Sequence, residues 1–162
     1  MIRHAIAAER GAESGADDDA RPLTDEGRKK MQRAVRGLRT VVPKIAVLAA
    51  SPLVRAHETA AIVADAYGSI EIATLPALRP GQRPSALAEW LNERQADGLV
   101  AVVGHEPHLS STVGWLLTGT PSSFVELKKG AACALVSDGA WGAGSARLQW
   151  ALTPAQLRAL RD

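Results

Sequence analysis

Four side chains suited to binding or attacking an anion stand at the ends of apolar segments that we predict to be strands. Arg3 and His4 close the short segment that opens the chain, and His105 follows the apolar run 99–104. Arg55 lies just beyond another apolar run. Because ligands of open α/β sheets bind beyond the carboxyl ends of the strands, we expect these side chains to share one crevice.

The residue types in this crevice limit what it can bind. Arginine cannot ligate a metal and repels cations, so two arginines beside two histidines make a poor metal site, and we expect neither a metal nor another cofactor. Guanidinium groups match phosphoryl oxygens in bidentate fashion, and a neutral imidazole can attack phosphorus. The residues alone favour an anion pocket, with the alternative that strand-end charges merely face water.

The spacing of apolar residues predicts the elements that position these side chains. Helices are predicted from Thr24 to before Pro43 and over 53–67, 84–95, 107–117 and 153–160. Strands are predicted over 45–50, 70–75, 99–103, 124–128, 131–137 and 145–152. This alternation predicts an α/β fold, a three-layer α/β/α sandwich whose central sheet is largely parallel and is extended at one edge by the last strands. The polar segment 8–22 is predicted to be a surface loop.

Composition narrows the class of protein. The 162 residues suffice for one domain, so we expect 1–162 to be a single unit. Lys and Arg number 19 against 17 Asp and Glu, a net charge of +2 that is too small to indicate nucleic-acid binding. The charged runs 17–19 and 28–30 are expected to be solvated. Without a leader-like start or an apolar run of about 18–20 residues, we expect no membrane association and a cytoplasmic location.

Three motifs make the pattern recognisable. Arg3-His4-Ala5 resembles the Arg-His-Gly/Ala signature of the histidine phosphatase superfamily, the phosphoglycerate-mutase-like group. The segment Ser51-Pro52-Leu53-Val54-Arg55-Ala56-His57-Glu58-Thr59 resembles its second motif, and Val103-Gly104-His105-Glu106-Pro107 resembles its third. Arg21-Pro22-Leu23-Thr24-Asp25-Glu26-Gly27 is similar to a stretch of the SixA-type branch, which the short chain also resembles.

The resemblance implies roles for individual residues. His4 is expected to be the nucleophile that becomes phosphorylated, with its second ring nitrogen donating to a carbonyl that fixes the tautomer. Arg3, Arg55 and His105 are expected to surround the transferred group, so that two arginines and a cationic imidazole stabilise its charge without a metal.

For three other residues in or near the motifs, the sequence allows two roles. Arg21 either reaches the substrate or is exposed, and Ser51 either touches the site or forms a turn. Glu106 is either a substrate-binding acid or a residue that stabilises a helix dipole. His57 and His108 are expected to be partly buried structural histidines.

The chain departs from the family pattern in two places. Many members carry a glutamate before the third helix as general acid, whereas this chain has Arg79 there, as expected of SixA-like members, which lack that acid. Only Met1 and Ile2 precede the first motif, fewer than the ~5–6 residues of an average strand. We therefore expect a truncated first strand or a natural start upstream of Met1.

Three hypotheses follow for function. The leading one is a metal-independent phosphatase that removes phosphate from phosphohistidine of a signalling or phosphocarrier protein, because a short member without a lid leaves its pocket open to a protein surface. The second is a phosphomonoesterase for a small metabolite. The third, a catalytically inactive phosphate-binding regulatory module, is disfavoured because all four pocket residues are present. The oligomeric state is not predicted.

Overall fold

The computed structural model describes residues 1–9, 18–94 and 97–160. Its helices are α1 Asp25–Val41, α2 Val54–Ala66, α3 Pro84–Arg94, α4 His108–Thr118 and α5 Pro154–Ala159, with single 3-10 turns at Asp18–Ala20 and Pro76–Leu78. Its strands are β1 Ile2–Arg3, β2 Val47–Ala50, β3 Ile72–Thr74, β4 Val100–Gly104, β5 Ala132–Ser137 and β6 Ala146–Leu152. Most of the predicted loop 8–22, and the predicted helix end at Gln95, lie outside the described residues.

The strands form one six-stranded sheet in the order β3-β2-β4-β1-β5-β6. The first four run parallel, and β5 and β6 join antiparallel at the β1 side. This confirms the predicted α/β architecture and the extension of one edge. The carboxyl ends of β2, β4 and β1 are consequently neighbours, which is what brings distant motifs together.

Helices cover both faces of the sheet, and the strands are apolar on both sides for that reason. In β4, Ala101 and Val103 join the core shared with α1, α2 and α5, while Val102 joins the core beneath α3. Leu109 and Val113 of α4 form a further cluster on this second side. Successive side chains of one strand therefore pack against helices on opposite faces of the sheet, which gives the three layers.

The start of α1 holds the chain that follows β1. Thr24 caps the helix by accepting a hydrogen bond from the Gly27 amide at 3.0 Å, as predicted, and its own amide donates to the Ile6 carbonyl at 3.0 Å. A Cβ on Gly27 would lie 2.1 Å from that carbonyl oxygen, so only glycine permits this approach. The segment after His4 is thus packed directly against α1.

Two sequence-based expectations are wrong. The segment 124–128 is not a strand: the Leu127 amide donates to Glu106 at 3.2 Å, and its carbonyl accepts from Arg3 at 2.7 Å, so its polar groups bind side chains instead of a ladder. His57 is exposed on α2 rather than partly buried, because it faces away from the sheet.

The first strand has two residues, which pair with β4 and β5. Met1 continues the contact with β5, since its amino group donates to the Cys133 carbonyl at 2.7 Å and its carbonyl accepts from the Cys133 amide at 2.9 Å. Among the described residues, no helix has the length and apolar character needed to cross a membrane.

Candidate active site

Residues of the sequence motifs lie together at the carboxyl ends of the parallel strands. His4 follows β1, Ser51 follows β2, and His105 follows β4. The amide of His4 donates to the Gly104 carbonyl at 3.0 Å, which continues the β1–β4 ladder up to the site. The rings of His4 and His105 have centroids 5.1 Å apart at an interplanar angle of 50°. The predicted convergence of the two histidines is therefore confirmed.

Local hydrogen bonds set the tautomer of His4. Its Nδ1 donates to the carbonyl of Ala5 at 2.7 Å, as predicted, so the neutral ring carries its lone pair on Nε2. The Ala5 amide in turn donates to Thr59 Oγ1 at 3.0 Å, and the Thr59 hydroxyl donates to the Arg55 carbonyl at 2.7 Å. Thr59, which is fully buried, thereby ties the backbone beside His4 to the first turns of α2.

Ser51 orients His105. Its Oγ lies 2.8 Å from Nε2 of His105, and it also accepts a long hydrogen bond from the Leu53 amide at 3.4 Å. Ser51 thus forms a turn and touches the site as well. With the serine proton donated to Nε2, the hydrogen of the neutral imidazole resides on Nδ1, which is buried without a partner in the described part of the chain.

The two arginines are bonded to different segments of the chain. Arg3 donates to the Leu127 carbonyl at 2.7 Å, and Arg55, only 4% exposed, donates to the main-chain oxygen of Asp18 at 2.6 Å and to its carboxylate at 3.0 Å. The Nε of each arginine is buried and has no partner among the described residues. With Nδ1 of His105, this makes three buried N–H donors that have no partner in the described part of the chain.

Burial keeps both histidines neutral. It lowers the pKa of His4 to about 4, and the charges of Arg55, Arg3 and Lys129 act in the same direction, against the hydrogen bond to Ala5. Burial also lowers the pKa of His105 to about 3, with His4 and Arg55 adding to the effect. The expectation of a cationic His105 is therefore wrong for the protein without a bound anion. Desolvation and neighbouring cations lower the pKa of His105 by more than the nearby Asp18 carboxylate raises it.

These pKa values predict how stability depends on pH. As the pH falls below about 6.5, histidines in the unfolded chain bind protons, while the buried rings of His4 and His105 stay neutral until about pH 4 and about pH 3. Protons then favour the unfolded state, so the free energy of unfolding should fall across this interval. We expect the urea midpoint to drop between about pH 7 and about pH 5, and to drop less in His105→Asn. The two proteins differ in this one ring, so identical pH dependence would refute the lowered pKa of His105.

An acidic turn lies beside Arg55, and sequence reasoning missed it. Asp18, expected to be solvated, binds Arg55 and accepts from Arg21 Nε at 2.8 Å. Asp19 pairs with Arg79 at 2.7 Å. Arg21 is thus linked to the site through Asp18, and Arg79 anchors the turn. A run of aspartates in a polar loop carries no pattern that separates a solvated stretch from one that folds onto buried arginines.

Glu106 is bonded on both carboxylate oxygens. Oε2 accepts from the Ser110 hydroxyl at 2.5 Å and from its amide at 3.4 Å, while Oε1 accepts from the Leu127 amide at 3.2 Å. These bonds connect the start of α4 to the segment that carries the Arg3 contact. His108 is buried, as expected, and neither ring nitrogen has a partner among the described residues.

The site has no metal-binding cluster among the described residues. Within residues 1–9, 18–94 and 97–160, no group of three or more His, Cys, Asp or Glu side chains is arranged to hold a metal ion. The charges of Arg55, Arg3 and Lys129 all act on His4 and lower its pKa. The arrangement can bind a multiply charged oxyanion beside an unprotonated imidazole nitrogen.

Comparison with known proteins identifies the family of the chain. The histidine phosphatase superfamily (branch 1) model matches residues 1–80, which contain the first two motifs. An uncharacterized protein of Picosynechococcus is 31% identical over 151 residues, covering 92% of this chain and 87% of the relative. The chain belongs to the histidine phosphatase superfamily. It is a phosphatase.

Solved structures share the fold over nearly the whole chain. A structure of the protein histidine phosphatase SixA complexed with tungstate superposes with a TM-score of 0.81 at 24% identity, covering 96% of both chains. A putative phosphohistidine phosphatase SixA from Nakamurella multipartita gives 0.74 at 27% identity, covering 94% of this chain and 93% of the other. The alpha-ribazole phosphatase of Shigella flexneri gives 0.75 at 16%, covering 94% and 95%. The fold is phosphoglycerate-mutase-like, as predicted.

Proposed function

We propose that this phosphatase removes the phosphoryl group from phosphohistidine on a protein, with His4 carrying the group between two steps. The observation that carries the proposal is that Nε of Arg3, Nε of Arg55 and Nδ1 of His105 are buried without a partner among the described residues, while His4, on whose ring both arginine charges act, keeps Nε2 unprotonated. The likeness to proteins described as SixA phosphohistidine phosphatases supports the choice of substrate.

In the first step, His4 Nε2 forms a bond to phosphorus as the phosphorus–nitrogen bond of the substrate breaks. Arg3, Arg55 and His105 donate hydrogen bonds to the three equatorial oxygens, whose charge must be stabilised in the loose transition state. The departing imidazole takes a proton from water and leaves as a neutral ring, and the hydroxide so formed is neutralised by the proton that the attacking water releases in the second step. In the second step water attacks the phosphorus on His4, which yields inorganic phosphate and restores the neutral imidazole.

The carboxylates around the site are already engaged, which favours a substrate whose leaving group needs little acid. Asp18 accepts from Arg55 and Arg21, so it is held as an acceptor rather than as a proton donor. Glu106 accepts from Ser110 and Leu127. An alkyl phosphate ester expels an alkoxide and benefits from a general acid worth about 10²–10⁴ in rate, whereas a protonated imidazole is a good leaving group.

The test compares kcat/KM for a phosphohistidine protein or peptide with that for alkyl phosphate monoesters. We expect the phosphohistidine substrate to be preferred by about 10² or more, since the described part of the site lacks the free general acid that alkyl esters need. Aryl phosphates are excluded from the panel because their leaving groups need little protonation. The assays contain EDTA, because the proposal assigns charge stabilisation to the arginines.

A preference for alkyl esters that disappears in Glu106→Gln would overturn the proposal. It would reveal Glu106 as a working acid and assign the enzyme to small phosphomonoesters. Complete loss of activity in EDTA, restored by magnesium, would contradict the role given to Arg3 and Arg55.

A further inference from the structure

A basic cavity adjoins the proposed nucleophile. It has a volume of about 600 Å³ and lies between α1, α5 and the segment 126–130. Arg3 and Ala5, the neighbours of His4 in the chain, both line it. The Gly130 amide donates to the carbonyls of Arg3 and His4, both at 3.2 Å, so the cavity wall is bonded directly to the backbone of the active site.

The charges that line the cavity are strongly one-sided. Among its described lining residues are the cations Arg3, Lys30, Lys128, Lys129 and Arg158, against a single carboxylate, Glu126. The chain as a whole has a net charge of only +2, so this excess is local. A concave surface lined by one sign of charge concentrates its field and attracts the opposite sign.

Most of these cations are free to bind a ligand. Lys30 is paired with Glu26, whereas Lys128, Lys129 and Arg158 form no ion pair with any described residue. Lys128 and Lys129 are also exposed. The field of Lys129 reaches the active site, since it is among the charges that lower the pKa of His4.

We propose that this cavity binds acidic side chains that flank the phosphohistidine of the substrate protein, through Lys128, Lys129 and Arg158. The inference rests on the proposed function and narrows its substrate to an acidic segment of a phosphoprotein. The cavity is large enough for side chains of a bound segment, and its position beside β1 lets them enter while the phosphoryl group faces His4. Rim charges of this kind speed association and select partners.

The test uses two synthetic phosphohistidine peptides that differ only in their flanking residues, glutamate in one and glutamine in the other. We expect the wild type to prefer the glutamate peptide, mainly through KM, and the preference to weaken with added salt. In the double variant Lys128→Glu/Lys129→Glu the preference should fall by about tenfold. The matched control is Arg36→Glu/Lys44→Glu, which makes the same change in net charge at exposed positions outside the cavity.

Several results would show that the cavity does not bind acidic side chains of the substrate. Equal turnover of the two peptides by the wild type, or equal losses in the cavity variant and its control, would overturn the proposal. The proposal would also be overturned if small bisphosphates were preferred over monophosphates by the same factor as the glutamate peptide over the glutamine peptide. The cavity would then bind a free anion rather than acidic side chains of a protein. The far-UV circular dichroism spectrum and urea midpoint of Lys128→Glu/Lys129→Glu should match those of Arg36→Glu/Lys44→Glu, which shows that the cavity variant is folded.

Loss of the proposed phosphohistidine activity and loss of binding in the cavity give different results. If the enzyme hydrolyses aryl phosphates but neither phosphopeptide, the same two peptides are prepared without phosphate and with a fluorescent label, and their binding is measured instead. Tighter binding of the glutamate peptide, lost on Lys128→Glu/Lys129→Glu, would then support the cavity and refute phosphohistidine as substrate. Equal binding of the two peptides would refute the cavity.

Discussion

Replacement of His4 by alanine should abolish turnover, with a loss in kcat on the order of 10⁴ or more, because the covalent route disappears with its nucleophile. In the wild type, Nε2 of His4 is unprotonated at neutral pH, since burial lowers the pKa of the ring to about 4 and Nδ1 donates to Ala5. The measurement is a single-turnover assay with a phosphohistidine peptide, followed by an alkaline quench. Phosphate should appear on His4, and acid should release it.

Asparagine at position 4 is the matched control, because its side-chain amide retains a donor for the Ala5 carbonyl. His4→Asn should be as inactive as His4→Ala while melting closer to the wild type. Full activity in either variant would end the proposed mechanism, and labelling of His105 in place of His4 would reverse the two roles.

Replacement of Arg55 by lysine should cost about 10²–10³ in kcat, although the charge is retained. Arg55 uses both terminal nitrogens of its guanidinium on Asp18, and its Nε is buried without a partner among the described residues. The shorter, single-headed ammonium of lysine cannot bind the turn and an equatorial phosphoryl oxygen together. We expect the loss mainly in kcat, with weaker inhibition by vanadate, which is measured by steady-state kinetics.

Arg79→Lys serves as the comparison. Arg79 is bonded to the same turn through Asp19, and its side chain is half exposed, so lysine should preserve the pairing and change kcat by no more than about threefold. If Arg55→Lys and Arg79→Lys behave alike, Arg55 holds the turn and does not touch the transferred group.

Local sequence signals predicted the elements well because they depend on neighbouring residues. The Thr24 cap and the stripe of Met31, Val35 and Leu38 define α1, and each of those three apolar side chains is buried. The motifs also identified the strand ends that carry His4 and His105. Parallel strands place their carboxyl ends on one edge, so their convergence followed from topology alone.

Long-range contacts accounted for the failures. The segment 124–128 has strand-like residues, yet its backbone is bonded to Glu106 and Arg3, which lie far away in the chain. The acidic run was expected to face water, but Asp18 meets Arg55 across 37 positions. Neither contact leaves a periodicity or a cap in the local sequence.

By itself, the sequence determined the family, the α/β class and the identity of the histidines and arginines proposed to do the chemistry, because motif spacing and apolar periodicity are properties of the chain. Only the tertiary structure decided the protonation of His4 and His105, the attachment of Arg55 to Asp18, and the grouping of Lys128, Lys129 and Arg158 around one cavity. The physical reason is that desolvation and Coulomb interactions depend on distances through space, which the fold sets between residues remote in sequence.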